Sequence, residues 1–286
     1  MPAQIIEGKV IAKTLRTKIK KRVDFFKAKG IVPGLAVVLV GEDPASQIYV
    51  KNKAQACQEC GIKSEVIKLP STIQEKVLLT LMEKLNKRRD IHGILVQLPL
   101  PQHLSAEVII EAINPAKDVD GLHPVNMGKL LAGNPALIPC TPYGCLKLIQ
   151  STGCAVSGKK AVVIGRSNLV GKPMAVLLLR ENATVTACHS YTQDLVEITR
   201  SADILVVAVG KPGLITGEMI KSGALVLDVG MNRLPTGKLT GDVDFSSAAE
   251  IAGWITPVPG GVGPLTITML LENTLEAAYE QEDILH

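Results

Sequence analysis

The fold of this chain is decided by the stretch Ala161-Val-Val-Ile-Gly165-Arg166-Ser167-Asn-Leu-Val-Gly171-Lys172-Pro173. An apolar run typical of a buried strand leads directly into a glycine turn, and a helical pattern follows. Glycine permits a tight turn and close approach of a ligand, and the start of the helix offers free N–H groups to an anion. The stretch therefore predicts an α/β fold with a phosphate site at the turn.

The spacing is not G-x-G-x-x-G, so on spacing alone an ordinary tight turn stays open. A hydrolase nucleophile elbow is disfavoured because Leu169 stands where that motif needs glycine.

The next strand bears on which nucleotide this turn binds. It ends in Cys188-His189-Ser190, about where an NAD-binding fold carries the carboxylate that holds the ribose 2′-hydroxyl. No Asp or Glu stands there, and Arg166 lies in the turn itself. A guanidinium suits a 2′-phosphate better than a hydroxyl, so these residues favour NADP over NAD.

Composition narrows the class of protein. The 286 residues are 47% hydrophobic and 20% charged, which is typical of a globular chain with room for two ordinary domains. A net charge of +4 with 3% aromatic residues gives no sign of a nucleic-acid-binding groove. No apolar run approaches the length of a membrane helix and the first residues lack a signal-peptide pattern, so we expect a cytoplasmic protein. Cys57-Gln-Glu-Cys60 is a single pair without further ligands at zinc spacing, which predicts reduced thiols and no metal site.

An α/β rhythm divides the chain into two halves. Short apolar strands alternate with amphipathic helices, which predicts parallel sheets. The strands are expected over residues 35–40, 64–68, 93–97, 161–164, 184–188, 204–209 and 224–229. We predict an N-terminal α/β substrate domain over residues 1–139 and a doubly wound, Rossmann-type nucleotide domain over residues 140–264. A C-terminal helix over residues 265–286 is expected to pack back on the first domain and complete it.

Three features of the first half indicate chemistry. Tyr49 and Lys53 stand four apart on a predicted helix and share a face, although a solvated surface pair has the same spacing. Gln97 stands at the carboxyl end of a predicted strand, where ligands of open α/β sheets bind. Asp118 and Asp120 lie in one loop, where a carboxylate could accept hydrogen bonds from an amino-pyrimidine edge or could simply be solvated.

The second half ends in a stretch rich in proline and glycine, Thr256-Pro257-Val-Pro259-Gly260-Gly261-Val-Gly263-Pro264. Its glycines let the backbone approach a ligand closely, and its X-Pro bonds are candidates for cis peptides. The alternative is an ordinary sharp turn before the terminal helix.

These blocks together resemble a known family. In order and over nearly the whole chain they are similar to the signature blocks of bifunctional methylenetetrahydrofolate dehydrogenase/cyclohydrolase. The matching blocks are Tyr49-x-x-x-Lys53, Val96-Gln97-Leu-Pro-Leu-Pro101, Lys117-Asp-Val-Asp120-Gly121, Pro139-Cys-Thr-Pro142, Gly165-Arg-Ser167, Gly241-Asp-Val-Asp244 and Pro257-Val-Pro-Gly-Gly-Val-Gly-Pro264.

The resemblance implies an NADP-dependent enzyme of one-carbon metabolism. Such an enzyme oxidises 5,10-methylenetetrahydrofolate to the 5,10-methenyl form and hydrolyses that to 10-formyltetrahydrofolate. Carried over by position, it implies catalytic or substrate-binding roles for Lys53 as acid/base, Gln97 as its partner, Tyr49 stacked on the pterin and Asp120 at the pterin edge. It further implies folate contacts from Pro257, Gly260 and Gly261, and cofactor contacts from Gly165, Arg166, Ser167, Ser190 and Met231. A homodimer is implied as well.

One position departs from the family pattern. Members often carry Arg or Lys after the His-Ser of the second nucleotide strand, and Tyr191 stands there in this chain. NADP preference then rests on Arg166 and Ser190, and use of NAD stays open. Two other functions also stay open, namely a different NADP-dependent dehydrogenase and a nucleotide-binding protein without catalysis. Turnover of methylenetetrahydrofolate separates them.

Overall fold

The computed structural model describes residues 2–134 and 136–282, which fall into two compact units. We call them the six-stranded unit, made of residues 2–13 and 141–266, and the three-stranded unit, made of the described residues of 14–140 and 267–282. The strands are β1 (Gln4–Ile5), β2 (Gly34–Val40), β3 (Lys63–Leu69), β4 (Gly93–Val96), β5 (Lys160–Ile164), β6 (Thr184–Cys188), β7 (Ile204–Val207), β8 (Leu225–Asp228), β9 (Asn232–Arg233), β10 (Leu239–Thr240) and β11 (Trp254–Ile255). The α-helices are α1 (Gly8–Ala28), α2 (Pro44–Cys60), α3 (Glu75–Lys87), α4 (Ala106–Glu111), α5 (Pro124–Ala132), α6 (Cys140–Ser151), α7 (Gly171–Arg180), α8 (Leu195–Arg200), α9 (Phe245–Ile251) and α10 (Val262–Gln281).

The three-stranded unit is built on the parallel sheet β3-β2-β4. Every residue of the central strand β2 is buried, as expected for a strand in a parallel sheet whose faces are both covered. Helix α2 follows β2, and the chain leaves the sheet at the carboxyl end of β4. These two places carry Lys53 and Gln97, so the sheet positions both side chains.

The six-stranded unit contains a sheet with the order β1-β11-β8-β7-β5-β6, and all its pairs are parallel. The chain goes from β5 outward to β6 and then returns to the other side of β5 with β7. This reversal is the switch point of a doubly wound fold, where ligands bind outside the carboxyl ends of the strands. The predicted nucleotide-binding architecture is therefore confirmed.

The structure corrects three details of the sequence-based expectations. Residues 2–13 belong to the six-stranded unit and not to the first domain, because β1 pairs with β11 and Gln4 lies opposite Trp254. The terminal helix α10 begins at Val262 instead of residue 265, and its part from residue 267 groups with the three-stranded unit. Strand β4 ends at Val96, so Gln97 is the first residue beyond it.

Candidate active site and nucleotide site

Helix α2 presents Lys53 and Tyr49 on one face of the three-stranded unit. The helix starts cleanly because the Asp43 carboxylate accepts a hydrogen bond of 2.7 Å from the Ser46 backbone N–H. Lys53 is only 8% exposed, and its Nζ donates a hydrogen bond of 2.9 Å to Gln97 Oε1. Tyr49 is half-buried, and burial raises the pKa of its hydroxyl. A solvated surface pair does not describe these side chains.

The amide of Gln97 is held in one orientation. Its backbone N–H continues the sheet by donating to Val38 O at 2.8 Å, and its side-chain Nε2 donates to Leu98 O at 2.7 Å. With the NH₂ group engaged, the carbonyl oxygen faces Lys53. The acceptor is a neutral amide oxygen, so the amine is oriented by a hydrogen bond and not by an ion pair.

The two acids in the loop after α4, Asp118 and Asp120, differ in burial and in their hydrogen bonds. Asp118 is 1% exposed and accepts hydrogen bonds from the His123 backbone N–H at 2.7 Å and from Asn126 Nδ2 at 2.9 Å. Burial raises the pKa of the Asp118 carboxyl, and these hydrogen bonds act in the opposite direction. Asp118 therefore holds the loop, whereas Asp120 is half-buried and is the acid that a ligand can reach. Gly121 has a φ of +74°, and a Cβ there would lie 2.5 Å from the Ile138 carbonyl carbon.

Cys140 lies against the loop that carries Asp120. Its thiol is buried and donates to Val119 O at 3.2 Å, and Asn273 Nδ2 donates to the same oxygen at 2.9 Å. The pKa of the Cys140 thiol is raised, first by burial and then by the charge of Asp120, while the charge of Lys53 lowers it. The Cys140 backbone N–H also donates to Asp120 O at 3.4 Å, so Cys140 and Asn273 hold the loop that carries Asp120. Sequence reasoning missed Cys140 and Asn273 as parts of this site, although Cys140 lies in the Pro139-Cys-Thr-Pro142 block.

The glycine turn of the six-stranded unit leaves no room for a Cβ atom at Gly165 or Gly171. Gly165 has a φ of +125°, and a Cβ on it would lie 2.3 Å from Ala208 O. A Cβ on Gly171 would lie 2.1 Å from Gly165 O. Ser167 Oγ accepts a hydrogen bond of 3.1 Å from the Val170 backbone N–H, which supports the turn into α7. Arg166 is exposed. The turn therefore has a guanidinium that is accessible to solvent beside its backbone.

The turn and the end of β6 are neighbours. The Gly165 N–H donates to Cys188 O at 2.9 Å, and Ser190 follows two residues later with an exposed side chain. No carboxylate belongs to the turn from His189 to Thr192. A cradle for phosphate, an arginine and a serine therefore occur together at the carboxyl edge of the sheet, an arrangement that fits a dinucleotide with a 2′-phosphate.

The loop after β8 and the Pro-Gly stretch form a second group in this unit. Met231 is 42% exposed, and its Cε would lie 3.5 Å from a Cβ on Gly263. The Gly261 N–H donates to Pro257 O at 2.9 Å, and Gly260 has a φ of +111°. The Val258–Pro259 bond is cis, as the X-Pro content of the stretch suggested. Met231, Pro257, Gly260 and Gly261 are thus parts of one structured surface and not of a flexible linker.

Two buried acids that sequence reasoning did not assign hold the loops at this edge. Asp228 accepts hydrogen bonds of 2.9–3.0 Å from the backbone N–H groups of residues 230, 242 and 243. Asp242 is 0% exposed and accepts from the N–H groups of Val209 and Gly210 at 2.7 and 2.9 Å and from Asn232 Nδ2 at 2.8 Å. Burial, with a contribution from the charge of Asp242, raises the pKa of Asp228 to about 6. For Asp228, the signal in the sequence was an acid as the last residue of an apolar strand.

Within residues 2–134 and 136–282, no group of three or more His, Cys, Asp or Glu side chains is placed to hold a metal ion. In the same ranges, no helix combines the length and apolar character needed to cross a membrane.

Comparison with known proteins places this geometry in a family. Residues 6–120 match the model of the tetrahydrofolate dehydrogenase/cyclohydrolase catalytic domain, and residues 139–282 match that of its NAD(P)-binding domain. The bifunctional protein FolD of Moorella thermoacetica is 60% identical over 278 residues, which cover 97% of this chain and 99% of the relative.

Solved structures agree. The bifunctional methylenetetrahydrofolate dehydrogenase/cyclohydrolase FolD from Campylobacter jejuni is 49% identical with a TM-score of 0.96, covering 97% of this chain and 99% of that one. The Trypanosoma brucei enzyme, solved with NADP and an inhibitor, is 40% identical with a TM-score of 0.94 and 99% coverage of both chains. This chain belongs to the tetrahydrofolate dehydrogenase/cyclohydrolase family.

Proposed function

We infer that this chain oxidises 5,10-methylenetetrahydrofolate to 5,10-methenyltetrahydrofolate with NADP and hydrolyses that product to 10-formyltetrahydrofolate. Family membership and identity to bifunctional relatives over nearly the full length support both steps. The structural observation that carries the proposal is the hydrogen bond between Lys53 Nζ and Gln97 Oε1. Hydrolysis of a methenyl cation needs a group that takes a proton from water, and a buried, oriented amine can do so.

The folate is proposed to bind the three-stranded unit through Tyr49 and Asp120. The ring of Tyr49 offers a flat face for stacking on the pterin, and Asp120 accepts hydrogen bonds from the amino-pyrimidine edge. The folate contacts that the family resemblance implies for Pro257, Gly260 and Gly261 stay predictions.

The cofactor is proposed to bind at the glycine turn of the six-stranded unit. Gly165 and Gly171 leave backbone exposed where a Cβ would collide, which suits a pyrophosphate at the start of α7. Arg166 and Ser190 are proposed to hold the 2′-phosphate, and Ser167 and Met231 to complete the site. NADP, when bound, accepts the hydride from the methylene carbon.

In the first step, the residues of this chain act by orienting the substrate and the cofactor. Hydride transfer needs two rings held at the correct distance and no protein nucleophile, so proximity supplies most of the rate. Tyr49 and Asp120 fix the pterin, and the Asp228 and Asp242 carboxylates keep the loops around Met231 in place.

Proton transfer belongs to the second step. The amine of Lys53 is proposed to remove a proton from the water that attacks the methenyl carbon. The Gln97 oxygen accepts a hydrogen bond of 2.9 Å from this amine and orients it. The bond between this carbon and N5 then breaks, and the Lys53 ammonium returns the proton to N5, which gives the 10-formyl product.

We also propose that the enzyme is a cytoplasmic homodimer. Strand β6 is an edge of the six-stranded sheet, and most of its side chains are exposed; such an edge favours pairing with another chain. All six cysteines are free, which suits a reducing compartment. Sedimentation velocity of the purified protein and cell fractionation test these two points.

A two-signal assay tests the function. Purified protein is mixed with methylenetetrahydrofolate and NADP, and methenyl absorbance and formyl product are followed separately. We expect both products to form. NADP reduction with an unrelated substrate only, or NADP binding without turnover, would indicate a different dehydrogenase or a nucleotide-sensing protein.

A further inference from the structure

Tyr191 is an exposed aromatic residue at the nucleotide edge of the six-stranded unit. Its side chain is 78% exposed, and the guanidinium carbon of Arg166 lies 5.5 Å from the centre of its ring. This is within the range of a cation–π contact. Within the part of the chain that the structure describes, no carboxylate forms an ion pair with Arg166. The Tyr191 ring is thus the observed contact that orients the guanidinium.

The turn that carries Tyr191 is held by its own hydrogen bonds. The His189 N–H donates to Thr192 Oγ1 at 2.8 Å, the Thr192 N–H donates to His189 O at 2.9 Å, and the Tyr191 N–H donates to His189 Nδ1 at 3.2 Å. The rings of His189 and Tyr191 meet edge to face with centres 6.1 Å apart. Because the turn is fixed and one side of the ring is supported, the position of the ring is defined.

A cation–π contact uses no hydrogen-bond donor of the guanidinium, so its N–H groups remain able to donate to an anion. We propose that Tyr191 is a specificity-determining positioning residue for NADP. Its ring holds Arg166 so that N–H groups of the guanidinium remain available to the 2′-phosphate. The proposal rests on the proposed cofactor role of Arg166.

The test measures binding without turnover. Dissociation constants for NADP and NAD are determined by calorimetry, in the absence of folate, for the wild type, Tyr191→Leu and Tyr191→Phe. A cation–π contact at an exposed site corresponds to about a twofold to fivefold change in affinity. We expect Tyr191→Leu to weaken NADP binding by about that factor, to leave NAD binding unchanged, and Tyr191→Phe to behave like the wild type. Phe25→Leu is the matched control, because Phe25 is also exposed and stacks with Lys29 at 4.7 Å in the other unit.

A second background separates positioning from direct contact. In Arg166→Ala, the further change Tyr191→Leu should cause no additional loss of NADP affinity, because no guanidinium remains to be oriented. Equal weakening of NADP and NAD, persisting in the Arg166→Ala background, would mean that Tyr191 stacks on the adenine and would overturn the proposal. Unchanged NADP affinity in Tyr191→Leu would overturn it too. Arg166→Ala alone tests the cofactor role of Arg166: if it leaves NADP affinity unchanged, that role fails, whereas a loss in Arg166→Ala with none in Tyr191→Leu overturns the Tyr191 proposal only.

Discussion

Replacing Lys53 with methionine separates the two proposed reactions. Lys53 is 8% exposed, so the apolar part of its side chain is packed and methionine keeps most of that volume. The change removes the amine and leaves Gln97 Oε1 without the donor that it has at 2.9 Å. Hydrolysis then lacks its base, whereas hydride transfer requires no proton transfer by the protein.

The expected effects on rate and stability differ in size. Loss of the one hydrogen bond between the amine and its uncharged acceptor lowers the free energy of unfolding by about 1–3 kcal/mol, so the protein should fold. Loss of general acid–base assistance lowers the hydrolytic rate by about 10²–10⁴-fold, which corresponds to roughly 2.7–5.4 kcal/mol in the transition state. The variant should therefore produce NADPH and accumulate the methenyl intermediate.

Lys51→Met is the matched control. Lys51 stands two residues earlier on the same helix, carries the same charge and is exposed. It lines a cavity with Ile48 and Val66, and Lys53 is not among the residues of that cavity. In a stopped assay, the ratio of methenyl absorbance to formyl product should rise in Lys53→Met and stay unchanged in Lys51→Met. If hydrolysis by Lys53→Met stayed within a factor of about three of the control, below the range for loss of a general base, the base would have to be another group.

Much of the fold follows from local patterns because the strands are short unbroken apolar runs. Strand β5 and Gly165 predicted the nucleotide turn, and the long helices followed their amphipathic periodicity. Strands β1 and β11 were missed, since two residues show no periodicity and Gln4 pairs with Trp254 across almost the whole chain. For that reason the pairing of residues 4 and 5 with the second half of the chain was not predicted.

The candidate site was predictable only where spacing determines geometry. The four-residue spacing of Tyr49 and Lys53 predicts a shared helix face, but the contact between Lys53 and Gln97 spans 44 positions and was suggested by the family resemblance alone. Asp242 could not be recognised from local pattern, because an isolated acid in a Gly-Asp motif is usually a solvated turn. Its burial becomes visible only when backbone N–H groups from separate loops converge on it.

Three further substitutions test the assigned roles. Arg166→Ala should raise the Michaelis constant for NADP about tenfold or more, through loss of a hydrogen bond to a charged group worth on the order of 1.5–3 kcal/mol, and equal losses with NAD would contradict a 2′-phosphate role. Asp120→Ala should depress both activities together, because one pterin pose serves both steps; loss of a single activity with unchanged folate affinity would exclude it as the pterin anchor. Asp242→Asn should weaken NADP binding and lower the free energy of unfolding by about 1–3 kcal/mol, because an amide has one acceptor oxygen and cannot satisfy two backbone N–H groups and a side-chain amide. The control is Asp203→Asn, which removes a carboxylate that also accepts a backbone N–H but lies before β7, at the opposite edge of the same sheet. Urea unfolding and calorimetry with NADP compare the two variants, and equal losses of NADP affinity in both would mean that Asp242 stabilises the unit without positioning the cofactor loops.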